Sequence, residues 1–189
     1  ALDALGAANI KDFAISVKLT ALGLDLGDEL ADRNLRTILH AAAEHEHSFV
    51  RVDMEGSAYT QRTLDIVAAA HRDFPNIGTV LQASLRRTDA DLSRLIAEHI
   101  RVRLVKGAYA EPESVAYPEK AKVDAAYVQQ MRELVLHCNQ PAIAQHHQFL
   151  VGHADEHLER GRRRRHFVLR HSSACGKAKK ARHDPEIFL

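Results

Sequence analysis

Cysteine, methionine and tryptophan are scarce in this chain of 189 residues, which has two cysteines, two methionines and no tryptophan. Cys138 and Cys175 form no close pair, so neither a disulfide framework nor a cysteine-based zinc site is predicted. No apolar run approaches the ~18 residues that a membrane-spanning helix needs, and no basic stretch followed by an apolar segment opens the chain. These features argue against a disulfide-rich secreted domain or an integral membrane protein, and they favour a cytoplasmic location.

An excess of charge of one sign is also lacking, because 26 Lys and Arg residues balance 25 Asp and Glu residues. The balance is uneven along the chain: residues 1–150 carry 16 basic and 20 acidic side chains, whereas residues 151–189 carry 10 and 5. Apolar periodicity ends near Gly161, where RGRRRRH and then GKAKKAR enter the sequence. We therefore predict one domain over residues 1–161 and an irregular basic tail over residues 162–189 that is disordered or out of frame.

A strand–helix repeat fills the predicted domain. Five apolar runs rich in β-branched residues indicate strands. They cover about residues 13–19, 49–54, 77–83, 101–106 and 141–145. The segments between them have apolar residues at helical spacing. The resulting order, βαβαβαβαβα, predicts an α/β fold with a parallel sheet or barrel.

Candidate capping residues support the helix positions. Asp28 and Thr60 stand where a side chain could accept the first amides of two helices, and Thr88 with Asp91 resembles a capping box.

Polar side chains stand at or near the end of four of the predicted strands. They are Lys18 in AISVKLT, Asp53 in FVRVDME, Gln82 in GTVLQAS, and Arg103 with Lys106 in RVRLVKGAY. Parallel strands buried on both faces are nearly all apolar, since a polar side chain there destabilises the fold unless a partner satisfies it. Ligands bind at the C-terminal ends of the strands in parallel sheets and barrels. The coincidence at four strand ends therefore predicts a ligand site.

A plainer explanation stays open for each residue. Asp53 could start a loop, Gln82 could bond a neighbouring backbone group, and Arg103 could pair with Glu111 or with Asp53.

Five motifs in order, SVKLTALG, VRVDMEGSAYT, VLQASLRRT, VRLVKGAY and PAIAQHH, closely resemble proline dehydrogenase over roughly residues 13–160. The resemblance implies an incomplete (β/α)8 barrel of the TIM type, with about five βα units and FAD at its C-terminal mouth. It also implies oxidation of L-proline to pyrroline-5-carboxylate, the first step of proline catabolism to glutamate. In that family, hydride passes to flavin N5 and the electrons go to quinone, which allows peripheral contact with the inner membrane.

The resemblance also implies roles for individual residues. Asp53 and Arg103 would be catalytic, the carboxylate ordering the basic groups around it and the guanidinium stabilising negative charge on the flavin. Lys18 would bind the proline carboxylate, Leu104 would pack against the proline ring, and Tyr109 would wall the substrate pocket. The implied cofactor contacts are Met54, Gln82, Arg103, Lys106, Gly107, Ala108, Tyr109, Gln145 and His146. No metal ligand is implied.

The chain departs from the family pattern both at single residues and in whole elements. Gln145 stands where threonine is usual, and His147 stands where aspartate is common. By the family's layout the first strand, the last two strands and a Tyr-x-x-Arg-Arg-x-x-Glu helix, whose arginines clamp the substrate carboxylate, are missing. The sequence thus predicts a chain with impaired or absent activity, and its open barrel edges leave room for self-association.

Two other classes of protein compete with this interpretation. GHADEH places His153, Glu156 and His157 in the H-x-x-E-H pattern of inverted zinc peptidases, but little chain follows to supply a third ligand. The runs RGRRRR and GKAKKAR would neutralise phosphates, but no recognisable nucleic-acid module accompanies them. Specific nucleic-acid binding is therefore not predicted.

Overall fold

The computed structural model describes residues 13–138, 140–144, 168–170 and 186–188. Strands and helices alternate over most of this part of the chain. The strands are β1 (Phe13–Val17), β2 (Ser48–Val52), β3 (Ile77–Gln82), β4 (Arg101–Val105), β5 (Ala142–Ala144), β6 (Val168–Arg170) and β7 (Glu186–Phe188). The helices are α1 (Asp28–Ala43), α2 (Ser57–His71), α3 (Thr88–Ala97) and α4 (Lys120–His137).

The chain divides into two compact units, one formed by Ala1–Val80 with Lys179–Leu189 and the other by Leu81–Ala178. In the first unit, β1 lies between β2 and β7, and β2 also pairs with β3, all in parallel. In the second unit, β5 lies between β4 and β6, again in parallel.

The five predicted strands and the parallel α/β order are confirmed, each strand boundary lying within two residues of its predicted position. β6 and β7 are short additions beyond residue 161, where the sequence predicts a basic tail. The domain boundary near that residue stays a prediction.

Each unit has a core made by an apolar helix face and the neighbouring strands. In α1 the four residues Ala31, Leu35, Leu39 and Ala42 lie one turn apart and have no exposed surface. Spacing of three and four residues puts such side chains on one face of a helix. The sheet supplies Ile15, Val50 and Val52, which are at most 1% exposed. In the second unit, α4 packs Tyr127, Met131 and Leu134 inward in the same way.

The predicted caps of α1 and α2 are wrong. α1 begins at Asp28 after Gly27, α2 begins at Ser57 after Gly56, and among the described residues neither helix has a side-chain cap hydrogen bond. Thr60 therefore lies inside α2. The Asp28 carboxylate pairs with Arg62 at 2.5 Å instead of with its own helix. A contact between residues 34 positions apart has overridden the local preference.

The capping box predicted at the start of α3 is also wrong. Thr88 donates its hydroxyl to the Gln82 carbonyl at 2.5 Å, which ties the first turn of α3 to the last residue of β3. The Asp91 carboxylate accepts from the Arg87 guanidinium at 2.7 Å. Thr88 is 1% exposed, so its hydrogen bond is shielded from water. The loop between β3 and α3 is thus held by a buried bond rather than by a cap.

We expect Thr88→Val to lower the free energy of unfolding by about 1 kcal/mol, because valine keeps the shape and removes the buried hydroxyl. The loss stays moderate since the Gln82 carbonyl also accepts from the Leu85 amide. Chemical denaturation would measure the change. Ser93→Ala is the matched control, because the Ser93 hydroxyl makes a similar bond to the Asp89 carbonyl on the exposed face of α3. Equal effects of the two variants would contradict this account.

Candidate active site

The strand ends of the first unit place Lys18 and Asp53 beside each other. β1 ends at Val17 and β2 at Val52, and these two residues are partners in the parallel register. The pairing continues one step further, because the Asp53 amide donates to the Val17 carbonyl at 2.8 Å. Lys18 is exposed and Asp53 is half-buried. The predicted meeting of these two strand ends is therefore present in the structure.

Glu55 fixes the loop that follows Lys18. Its Oε1 accepts from the Thr20 hydroxyl at 2.7 Å, and its Oε2 accepts from the Thr20 amide at 3.2 Å. Because Thr20 is two residues beyond Lys18, this carboxylate sets the course of the chain beside the lysine. Sequence reasoning missed Glu55, since its partner is 35 positions away and no local pattern joins the two.

A buried cation lies inside β2. Arg51 is 8% exposed, and its register partners are Ser16 on β1 and Gly78 on β3. Small residues on both sides leave room for the long side chain, whose guanidinium carbon lies 5.3 Å from the centre of the Phe49 ring. Strand alternation puts Arg51 on the face that Asp53 continues. Sequence reasoning gave Arg51 no role, although a charge within an apolar strand was a signal that could have found it.

Met54, the next predicted site residue, is buried.

In the second unit, the loop after β3 pairs with the end of β4. The Ala83 amide donates to the Val105 carbonyl and the Ser84 amide donates to the Lys106 carbonyl, both at 2.8 Å. Gln82, the last residue of β3, is 3% exposed. This pairing brings the residue after Lys106 close to the Gln82 side chain.

Gly107 makes that approach possible. Its φ of 112° lies in a region that other residues rarely adopt. A Cβ at this position would overlap Ser84 Oγ and would lie 3.3 Å from Gln82 Oε1. Glycine is therefore required here both by the backbone conformation and by the space available.

The side chains of β4 alternate between two faces. Leu104 has no exposed surface, and Arg103 is half-buried. Lys106 shares the face of Leu104 by alternation and extends to α4, where its ammonium donates to Asp124 Oδ1 at 2.5 Å. Arg103 therefore projects from the opposite face. Contacts of Leu104 with substrate and of Lys106 with cofactor stay predictions.

Asp124 accepts hydrogen bonds from two lysines. Its Oδ1 binds Lys106, and its Oδ2 binds Lys120, the first residue of α4, also at 2.5 Å. The hydrogen bond from Lys106, followed by that from Lys120, holds the pKa of Asp124 below its ordinary value of 3.8. Sequence reasoning assigned no role to Asp124.

The other predicted residues are on the surface or outside the described ranges. Ala108 and Tyr109 are exposed, Tyr109 by 45%. Gln145 and His146 lie outside the described residues, as do the GHADEH segment and both basic runs. Within the described ranges, no group of three or more His, Cys, Asp and Glu side chains could hold a metal ion. In the same ranges, no helix is both long and apolar enough to cross a bilayer.

Comparison with known proteins identifies the family. The family model described as proline dehydrogenase matches residues 2–169. The chain belongs to the proline dehydrogenase family. It is 42% identical over 132 residues to proline dehydrogenase 2 of Bacillus subtilis strain 168 and 37% identical over 131 residues to the proline dehydrogenase of Deinococcus radiodurans. These matches cover 70% and 67% of this chain but 43% and 42% of the relatives, so this chain spans less than half of their length.

Solved structures of proline utilization A are similar to this proline dehydrogenase family member. The Bdellovibrio bacteriovorus protein, inactivated by N-propargylglycine, matches with a TM-score of 0.61 and 28% identity over 69% of this chain and 17% of its own. A mutant of the Bradyrhizobium japonicum protein matches with a TM-score of 0.70 and 23% identity over 82% of this chain and 19% of its own, which bears on the fold alone. With the parallel βα units, this likeness confirms the predicted fold class, a partial barrel of the TIM type.

We expect Gly107→Ala to lower the free energy of unfolding by about 2 to 4 kcal/mol, because the added methyl group meets Ser84 and the φ is unfavourable. The penalty should shrink in a Ser84→Ala background, where the nearest atom has been removed, as measured by denaturation of the four proteins of the cycle. Gly27→Ser is the control, since a Cβ at Gly27 would meet no described atom within 4 Å. Additive effects of the Gly107 and Ser84 substitutions would refute the steric explanation.

We expect the carboxyl carbon of Asp124 to titrate in NMR spectra with a midpoint below 3.8, its ordinary pKa. Since the folded-state pKa is the lower one, the ion pair stabilises the fold above pH 3.8, and this stabilisation disappears as the pH falls through the folded-state pKa. Lys106→Met should raise the midpoint, whereas Lys120→Met should raise it less, because Lys120 is 75% exposed. An unchanged midpoint in the Lys106 variant would show that this lysine is not the main cause.

Proposed function

We propose that this chain oxidises L-proline to pyrroline-5-carboxylate with FAD as the hydride acceptor, and that the electrons then pass to quinone. The family match over residues 2–169 supports the reaction class. The observation that carries the proposal is the nearly buried amide of Gln82 at a strand end, packed against a glycine with positive φ. The proposal includes a cytoplasmic location with peripheral contact at the inner membrane, where quinone is found.

The residues of the second unit fit a flavin. The Gln82 amide can both donate to and accept from the pyrimidine edge of such a ring. Arg103 supplies a cation that would stabilise negative charge on the reduced ring. Gly107 presents backbone without a side chain, which favours close approach of a planar group. When bound, FAD would supply a two-electron acceptor for the substrate hydride. The further proposed contacts are Met54, the backbone of Lys106, Ala108, Tyr109, Gln145 and His146.

Residues at the strand ends of the first unit are proposed to act on proline. Lys18 is exposed, so its ammonium can reach and pair with a substrate carboxylate. Asp53 would be the carboxylate that orders the basic groups around it, such as Arg51 and Lys18. Tyr109 is 45% exposed, so its side chain can line the substrate pocket. Leu104 has no exposed surface, so it would have to be uncovered before it could touch the proline ring.

Absorbance spectroscopy of the purified full chain tests the proposal. With added FAD, we expect a bound-flavin spectrum that bleaches when L-proline is added without oxygen. Lys18→Ala should leave flavin bound and raise the proline concentration needed for half-maximal bleaching by roughly 10- to 150-fold, which corresponds to losing a charged hydrogen bond of about 1.5–3 kcal/mol. Gln82→Ala should weaken flavin binding itself.

Gln61→Ala is the matched control for Gln82→Ala. Gln61 is an exposed amide on α2 that donates to Asp65, so its loss should change neither flavin binding nor bleaching. If the wild-type chain binds FAD but the flavin stays oxidised when proline is added, the substrate assignment is wrong. If the wild-type chain binds no FAD, the proposed function as a whole is wrong.

A further inference from the structure

Asp124 has no role in the function proposed above, yet it contacts Lys106, the first residue of the loop over residues 106–109 that is proposed to hold the cofactor. Its two oxygens bind Lys106 and Lys120 at equal distances of 2.5 Å. The Lys106 side chain is 27% exposed and the Lys120 side chain is 75% exposed. Because water screens the exposed pair more, the pair with Lys106 is the stronger of the two.

The helix that carries Asp124 is firmly attached to its surroundings. Tyr127, which has no exposed surface, donates its hydroxyl to the Ala144 carbonyl on β5 at 2.9 Å. Gln130, 1% exposed, donates to Asp89 on α3 at 2.8 Å. Asp124 lies one turn before Tyr127, so its carboxylate is presented from a fixed point. The Lys106 ammonium also lies 5.7 Å from the centre of the Tyr127 ring, which holds it from a second side.

The position of Lys106 determines that of the next residue. The Lys106 carbonyl accepts from the Ser84 amide at 2.8 Å, and Gly107 then turns towards Ser84 and Gln82. Glycine has no side chain to restrict its own conformation, so the residues around it must do so. On the N-terminal side of this turn, the structure describes three restraints: the Lys106–Asp124 ion pair and the backbone hydrogen bonds from Ser84 to Lys106 and from Ala83 to Val105.

We propose that Asp124 is a positioning residue: by holding the Lys106 ammonium, it fixes the Lys106–Gly107 turn against Gln82 and Ser84 and thereby shapes the loop that takes the cofactor. The fixing of the turn concerns the protein alone, whereas its effect on the cofactor rests on the proposed function.

This role makes a prediction opposite to that of direct contact between Lys106 and cofactor. If the Lys106 ammonium bound the cofactor's phosphates itself, Asp124 would compete for it, and removing the carboxylate charge would tighten flavin binding. If Asp124 positions the turn, removing its charge loosens the turn and weakens flavin binding. The sign of the change in flavin affinity therefore separates the two roles.

The test is Asp124→Asn in the full chain, which removes the charge at nearly constant size. Two properties are measured well below the thermal unfolding midpoint: hydrogen exchange of the Ser84 amide, and FAD affinity by titration. We expect exchange at Ser84 to be faster and the FAD dissociation constant to rise, each on the order of tenfold. Asp124→Glu, which keeps a carboxylate, should recover part of both losses, whereas simple destabilisation of the fold would not depend on charge.

Lys120→Gln is the matched control, because it removes the exposed partner of Asp124 and leaves the pair with Lys106 in place. It should leave Ser84 exchange and FAD affinity unchanged. Amides of α1, in the other unit, report whether any change is local; faster exchange there as well in Asp124→Asn would overturn the positioning role.

The outcomes separate this inference from the proposed function. Unchanged Ser84 exchange in Asp124→Asn overturns the positioning role, whether or not FAD binds. Faster exchange with unchanged or tighter FAD binding overturns the link to the cofactor. If the wild-type chain binds no FAD, the proposed function fails, and Ser84 exchange alone decides the positioning role.

Discussion

The polar strand ends of each unit depend on backbone hydrogen bonds that continue the strand pairing past the ends of the strands. In the first unit the Asp53 amide donates to Val17, and in the second the Ala83 and Ser84 amides donate to Val105 and Lys106. These bonds fix which residue of one loop stands beside which residue of the next. Because side chains alternate in a strand, a slip of one residue would turn each polar group to the opposite face. The chemistry available at the strand ends of each unit is therefore set by register before any side chain makes a contact.

Within each unit, a carboxylate from a later segment then holds the loop that this register creates. Glu55 binds Thr20 beside Lys18, and Asp124 binds Lys106 beside Gly107. A partly exposed ion pair such as that of Lys106 with Asp124 contributes little to global stability, so it is a poor candidate for holding the fold together. The contacts of Glu55 and Asp124 restrict the loops that contain Lys18 and Gly107. Lysine and glycine are among the residues that lose the most conformational entropy when they are ordered. Restriction of a binding loop before the ligand arrives lowers the entropy cost of binding.

Periodicity was sufficient to predict the strands, because β-branched residues in short apolar runs have few alternatives to a buried parallel strand. It also predicted that Lys18, Asp53 and Gln82 would stand at strand ends. It could not predict the pairing of Asp28 with Arg62, of Glu55 with Thr20 or of Asp124 with Lys106, which join residues 18 to 35 positions apart along the chain. Local rules described Asp28 as a cap, but the side chain that reached it came from another helix. Contacts of this kind are decided by packing between elements, and composition within one element carries no information about them.

The motif RVRLVKGAY shows how a sequence can name the residues of a site without revealing their directions. Arg103 and Lys106 are three positions apart, and in a strand an odd spacing places two side chains on opposite faces. Lys106 extends to α4, where Asp124 neutralises it, while Arg103 projects from the other face of β4. Arg103 and Lys106 therefore do not combine into one positive site. Lys106 is proposed to support the turn, whereas Arg103 is proposed to stabilise charge on the flavin, and the odd spacing between them keeps the two cations apart.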